Sequence, residues 1–415
     1  MKRNPAANLK KHEGFSLVEL MVVLVIASFM SLAIFGIMAS TESQKRTMTA
    51  TNDATQAGNY AMYQLDKIIR AAGSGYGSLW QTAYGCKLFA THSNSQILPV
   101  PTTTTMAAPF ASLNSTLKGK YVLAPLLIAS QATTGTTDTS SGGAQAKPSD
   151  ALIVMSGSAG YGEFPVTLTA ATESSFSLKT YSGFNAGDLI LEVNDTASGS
   201  ASNCIMQQVA SNFAWSSALT SLPLGGAYSG SPIGTADITA NISAVSSVVD
   251  LGNATNGNLP SFQIIGVGAN NVLNSYDLLQ GGSSGSSGST SVNPSALADS
   301  VFEMHALYYT ADSTSGTNMS WQSPVAPNFD IATLESGTTA AQLTISRIKA
   351  IRLGLIMRSA LPEKSVVTPN PITLFSDLGA SFTYTRTLKG NEQNYRYRAI
   401  EATIPLRNSL FLTSE

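Results

Sequence analysis

Gly14-Phe-Ser-Leu-Val-Glu-Leu20, continued by MVVLVIASFMSLAIFGIMA to Ala39, is the stretch that decides how this chain is built. From Leu20 to Ala39 run 20 residues without a charge, and Ser28 and Ser31 are the only polar side chains among them. At 1.5 Å per residue this is about 30 Å of helix, the thickness of a bilayer core. Lys2, Arg3, Lys10 and Lys11 precede the run, against Lys45, Arg46 and Glu42 after it. That excess places the N-terminus in the cytoplasm and the bulk of the chain outside. A secretory signal would carry a small-residue cleavage site behind the apolar run and lose that run. No such site follows Ala39, so the run reads as a retained single-pass anchor.

The helical pattern continues past the anchor. No proline stands between Pro5 and Pro99, and only Gly36 and Gly58 interrupt the interval from Gly14 to Gly73. Met62, Leu65, Ile69 and Ala72 recur at spacings of three and four and mark one apolar stripe, with Tyr60, Tyr63, Lys67 and Arg70 off it. The pattern predicts one helix from Ser16 to Ala72, about 85 Å long. Residues 15–40 are its membrane half, and residues 41–72 form an amphipathic half that packs on a head, residues 73–415. Gly36 reads either as a point of local loosening or as a packing glycine.

Past Gly73 the period changes. Of the 415 residues, 43% are hydrophobic and only 12% charged, about half the usual charged share. Ser, Thr, Gly, Ala and Asn fill the gap, a composition common in secreted β-rich proteins. Short β-branched runs bounded by Gly, Asn, Ser and Pro predict strands at Ala151–Ser156, Phe164–Ala170, Ser175–Tyr181, Asp188–Val193, Ile205–Ala210 and Ser261–Val267. Two low-complexity stretches, 131–148 and the Gly/Ser run 281–290, read as loops with nothing to bury. The expected fold class is α+β: a long spine helix followed by a mostly antiparallel β head.

The heptapeptide Gly14-Phe-Ser-Leu-Val-Glu-Leu20 resembles the signal of type IV prepilins and type II secretion pseudopilins, in which a basic leader ends in Gly, Phe follows and a lone Glu stands within an apolar helix. The resemblance implies a leader of residues 1–14, removed between Gly14 and Phe15 by a membrane-embedded prepilin peptidase, and N-methylation of the Phe15 amine. Without the leader the chain carries 19 basic and 24 acidic residues, a net charge of −5. A carboxylate at the edge of a bilayer core is costly, so Glu19 requires an account. Ser16-Leu-Val-Glu19 fits a capping box, and an acid in the first turn suits the helix dipole. Alternatively Glu19 pairs with the Phe15 amine of a neighbouring subunit. At about 4 Å and an effective dielectric of 20 such a pair is worth roughly 4 kcal/mol before desolvation. Leaving the carboxylate unpaired costs several kcal/mol, so the pair penalises wrong register.

Three stretches of the head resemble the PilW family of minor pilins. Arg70-Ala-Ala-Gly73 with Gly85-Cys86 resembles the family's helix exit, and Leu297 to Met304, followed by Leu307-Tyr-Tyr309, its short helix leading into a strand. Arg347 to Ser359 and Tyr395 to Asn408 resemble its two C-terminal strands. The resemblance implies a minor pilin that co-assembles with other minor and major pilins, priming the filament or forming its tip. It would stand in the inner membrane with its head in the periplasm, and then in the pilus at the cell surface, where a tip-associated adhesin is a further partner. A tip-complex pseudopilin of a type II secretion system shares the N-terminal logic. A membrane-anchored adhesin that never polymerises is the third reading.

Enzymatic chemistry finds little support. Gly281-x-Ser283-x-Gly285 has the letters of a nucleophile elbow but sits in a Gly/Ser tract without the flanking strand and helix. His12, His92 and His305 are scattered, and no metal-ligand or phosphate-loop spacing occurs. No catalytic residue, cofactor or metal is expected; Asp237, Asp250 and Asp277 would hold calcium only if the fold gathered them. A net charge of −2 supplies no field for nucleic acid, and none is expected as a partner. Arg347, Lys349, Arg396 and Arg398 form either a basic face or alternating outward positions on two strands. Cys86 and Cys204, the only cysteines, both lie on the exported side, where thiols oxidise. They are expected to form a disulfide, two buried thiols being the alternative. The prepilin-type reading predicts that Gly14→Val, which places a β-branched side chain at the scissile bond, blocks processing. Intact-mass analysis of the membrane fraction should find wild-type chains starting at methylated Phe15 and variant chains retaining residues 1–14.

Overall fold

The computed structural model describes residues 14, 16–101, 106–117, 119–134, 148–159, 164–194, 203–242, 246–280, 293–410 and 412. It divides into two compact units, residues 1–52 and 53–415. One helix, Leu17–Ala71, runs unbroken through Gly36 and Gly58. In the first unit its large apolar side chains, from Leu17 to Met38, are all exposed. The hydroxyls of Ser28, Ser31 and Thr41 donate back to carbonyls three or four residues earlier, which leaves the apolar segment no unsatisfied hydroxyl. An 18-residue window reaches a mean hydropathy of 2.7, long and apolar enough to cross a membrane.

In the second unit the helix is one-sided. Ala54, Gly58, Ala61, Leu65, Ile69 and Ala72 are buried, whereas Tyr60 and Tyr63 are 55% and 64% exposed. Of the predicted stripe, Leu65, Ile69 and Ala72 are buried, while Met62 is half-buried and Ala61 takes the buried position in its turn. Small residues stand where the helix comes closest to the sheet. A Cβ on Gly58 would lie 2.4 Å from Ile400 Cδ1 and 2.8 Å from Met357 Cγ, so only glycine permits this approach without a shift. The helix ends at Gly73, whose φ of +79° is left-handed and open to glycine at little cost.

Three sheets and a hairpin organise the described part of the head. An eight-stranded sheet contains one parallel pair, Lys87–His92 beside Asn203–Gln208; its other pairs are antiparallel. A five-stranded antiparallel sheet orders Ser295–Ala298, Leu273–Asp277, Ser261–Val267, Pro148–Ser156 and Leu126–Thr134. A four-stranded antiparallel sheet orders Met319–Gln322, Val301–Ala311, Ile348–Arg358 and Tyr397–Pro405. The hairpin Ile372–Leu374/Tyr384–Arg386 stands apart from these. The main core gathers the helix stripe, Val154, Ile264, Tyr308, Leu353 and Ile404. Ile190 and Phe176 belong to a second cluster, and Phe302, Ile356 and Phe375 to a third. Because side chains alternate along a strand, Asp188–Val193 sends Leu189, Leu191 and Val193 to the main core and Ile190 to the second. It is buried on both faces, which explains its unbroken apolar run.

Asp188–Val193 and Ser261–Val267 fall where the sequence places them. Elsewhere the strand ends shift by residues: Val166–Thr172, Ser175–Leu178 and Asn203–Gln208 replace the predicted bounds. Phe164 is left 82% exposed ahead of its strand. The short helix expected over Leu297 to Met304 is absent. Ser295–Ala298 and Val301–Ala311 are strands, broken at Ser300 with φ +65°. Leu, Ala, Glu and Met favour helix locally, but nine residues paired with Ile348–Arg358 outweigh that weak preference. Most of the two predicted low-complexity loops lies outside the described residues, as does the Gly281–Gly285 tract.

Cys86 and Cys204 form a disulfide across 118 residues, with Cα atoms 5.7 Å apart and both side chains buried. It stands at the start of the parallel pair, where Leu88 is in register with Cys204, and ties the exit of the helix to the large sheet. Closing a loop of that length is worth about 4 to 5 kcal/mol on the chain-entropy model. Denatured, unreduced protein should show no titratable thiol at a monomeric mass. Cys86→Ser with Cys204→Ser should lower the unfolding free energy by about 2 to 5 kcal/mol in denaturant titrations.

Candidate assembly site

At the N-terminus the backbone N–H of Leu20 donates to the Ser16 carbonyl and closes the first helical turn. Glu19 lies in that turn, exposed, and no hydrogen bond joins its side chain to another of the described residues. Gly14 is also exposed, while Phe15 and residues 1–13 lie outside the described residues. The chain thus carries a carboxylate on an apolar helix, in a turn whose free N–H groups favour negative charge.

At the C-terminus the head grips the helix end. The Asn408 Nδ2 donates to the carbonyls of Ala71 and Ala72, at 3.4 and 2.9 Å, groups that a helix end leaves without intrahelical partners. Asn408 is itself held in place. The backbone N–H of Leu406 donates to the Lys349 carbonyl, and the Lys349 Nζ donates to the Ser409 carbonyl at 2.6 Å. Burial lowers the Lys349 ammonium to about 8. Strand Ile348–Arg358 therefore fixes the segment that caps the spine.

A buried ionic network braces the same sheet. The Arg386 guanidinium lies 2.9 Å from Glu303 and 3.1 Å from Glu392, and the Tyr384 hydroxyl donates to Glu303 at 2.9 Å. His305 sits between Asp150 and Glu303, at 3.7 and 3.6 Å, with its ring stacked on Tyr384. Asp150 accepts backbone N–H groups from Gln131 and Ala306, so the network joins the five-stranded sheet, the four-stranded sheet and the hairpin. Burial alone would lower the His305 pKa, but the negative charges of Asp150 and Glu303 beside its two ring nitrogens outweigh it and raise it to about 9. Paired carboxylates hold the proton.

Residues 265–408 match the family model of Type IV Pilus-assembly protein W, and residues 9–35 match that of the prokaryotic N-terminal methylation motif. A segment similar to the PilW family thus follows a segment similar to the prepilin-type N-terminal motif. No curated protein and no solved structure matched the chain significantly. The two matched segments support a type IV pilus-related minor pilin, and the apolar helix fits a membrane-anchored one. Such proteins interact with other pilins and are processed by a prepilin peptidase. The PilW segment includes Glu303, His305, Lys349, Met357, Arg386, Ile400 and Asn408, the residues that brace the four-stranded sheet and hold the helix to it.

The other sequence candidates resolve individually. Lys349 is buried and Arg396 pairs with Glu363 at 3.1 Å, so with Arg347 and Arg398 they do not make one exposed basic face. Asp237, Asp250 and Asp277 each accept nearby backbone N–H groups, and no group of three potential ligands occurs among the described residues. The roles of His305 and Asn408 were not legible in sequence, since Asp150 lies 155 residues from His305, and Ala71 and Ala72 lie more than 330 from Asn408.

Because the His305 pKa is raised above its ordinary value of 6.5, its contribution is fully present below pH 6.5 and is lost as pH rises through about 9. The stability difference between wild type and His305→Gln should shrink over that window by about 3 kcal/mol. Parallel denaturant titrations of the two proteins measure it and cancel groups common to both.

Proposed function

We propose that this chain is a minor pilin subunit that acts by assembly and not by catalysis, co-assembling with other minor pilins to prime a type IV pilus or form its tip. The observation that carries this reading is the pairing of a methylation motif on an exposed apolar helix with a PilW domain that seats and caps the same helix. In this reading prepilin peptidase cuts between Gly14 and Phe15, Phe15 is N-methylated, and the head folds in the periplasm under its disulfide. The exposed membrane half has two environments that cost no hydrophobic exposure: lipid before assembly and neighbouring spine helices after it. Glu19, without a partner among the described residues, supplies the selective contact. Inside a packed bundle its charge is tolerated only where the Phe15 amine of a neighbour meets it, so subunits at the wrong axial step are rejected.

Mass spectrometry of sheared filaments should recover the wild-type chain together with other minor pilins. Glu19→Val should still insert in the membrane and accumulate there, yet be depleted from the filament fraction. Normal incorporation of Glu19→Val would leave the carboxylate only a capping role, and recovery of the chain solely with secretion-system components would favour the pseudopilin reading.

A further inference from the structure

The eight-stranded sheet carries a cleft that the assembly reading does not use. Its volume is about 690 Å³, within the roughly 300–1,000 Å³ range of small-ligand sites. Three strand ends and a loop form it: His92 ends Lys87–His92, Gln208 ends Asn203–Gln208, Ala254 follows Ser247–Asn253, and Gly225 to Tyr228 close one side. Of the lining residues only Gln280 belongs to the segment that matches the PilW model.

Gln208 is the informative side chain. It is 5% exposed, and its carbonyl oxygen, Oε1, accepts the Tyr228 N–H at 3.1 Å. That bond commits Oε1 to the loop and leaves Nε2 beside Gly226 as the donor that a ligand can use. No hydrogen bond joins the Gln208 Nε2 to another of the described residues, and the amide borders the cleft, where a ligand can reach it. Gly226 makes this arrangement possible, since a Cβ there would lie 2.3 Å from Gln208 Oε1. The His92 imidazole, tilted against the Tyr228 ring at 4.8 Å, likewise has no hydrogen bond among the described residues. Ser211 and Gln280 add a hydroxyl and an amide, while Ala254 and Leu259 supply an apolar wall. Among the described residues no carboxylate, lysine or arginine lines the cleft.

We propose that this cleft binds a neutral saccharide. A sugar ring presents hydroxyls that accept from Gln208 and exchange hydrogen bonds with His92, and an aliphatic face that covers the apolar wall. An uncharged lining disfavours phosphates and carboxylates, whose desolvation would go uncompensated. The cleft lies at strand ends, with a closed loop on one side, and does not offer the free strand edge on which an extended peptide adds.

The test uses the full chain in a zwitterionic detergent without a sugar headgroup. Saturation-transfer NMR is recorded with glucose, galactose, mannose, N-acetylglucosamine, lactose and maltose, and with their methyl glycosides. At least one sugar should receive saturation, and Ser211→Trp, which fills the cleft from an exposed position, should weaken its binding at least about tenfold. Gln208→Leu should do the same; if that variant unfolds, Ser211→Trp decides, with its melting temperature as the folding control. Binding that survives as the methyl glycoside assigns the terminal residue of a glycan, and binding of the reducing form alone assigns a free sugar; either supports the site. No saturation of any sugar, or binding unchanged in Ser211→Trp, overturns it. Filament incorporation of Ser211→Trp should stay at the wild-type level, so this outcome is separable from that of the assembly role.

Discussion

The close seating of the helix on the four-stranded sheet is the contact on which the head depends. Gly58 admits Met357 and Ile400 to within a distance that any side chain would block, and Ala54, Ala61, Leu65 and Ile69 extend the seat along one face. Interlocking of this kind is specific because protein interiors are close-packed and a single added methyl is felt. The helix end is then closed by Asn408, whose amide satisfies carbonyls that the helix cannot satisfy itself. Helix, first sheet and last strand are thereby coupled, with the disulfide securing the first of these junctions.

The buried charges serve the same architecture at a different cost. Glu303, Arg386, Glu392, His305 and Asp150 replace apolar packing where three structural elements meet. Such a network adds little net stability over a well-packed apolar core, but losing one member leaves an uncompensated charge and is strongly destabilising. The PilW-matched segment is thus a self-braced platform, and the sheet that precedes it in the chain is where the saccharide cleft is built.

Much of this was legible in the sequence, and the reason differs from element to element. The 20-residue apolar run and the stripe Leu65, Ile69, Ala72 are local patterns, so helix length and buried face followed from spacing alone. Strands Asp188–Val193 and Ser261–Val267 were legible because β-branched runs stand between turn residues. Leu297 to Met304 misled, since its residues favour helix when isolated and become strand only through pairing with Ile348–Arg358. The buried fate of Lys349 was equally hidden: a lysine on a strand reads as outward until a distant carbonyl at Ser409 accepts its hydrogen bond.

What the sequence determined by itself was everything carried by short-range periodicity and covalent chemistry: an exposed apolar helix, an acid in its first turn, a glycine before an aromatic residue, and a single possible cysteine pair. The tertiary structure alone decided which groups far apart in the chain became partners. Asn408 meets the end of the helix, Gln208 turns its amide into a cleft, and His305 is held between Asp150 and Glu303. The physical reason is that hydrophobic periodicity is read within one or two turns, whereas a polar group's partner is set by sheet order and register. Those depend on how the whole chain satisfies its buried hydrogen bonds at once.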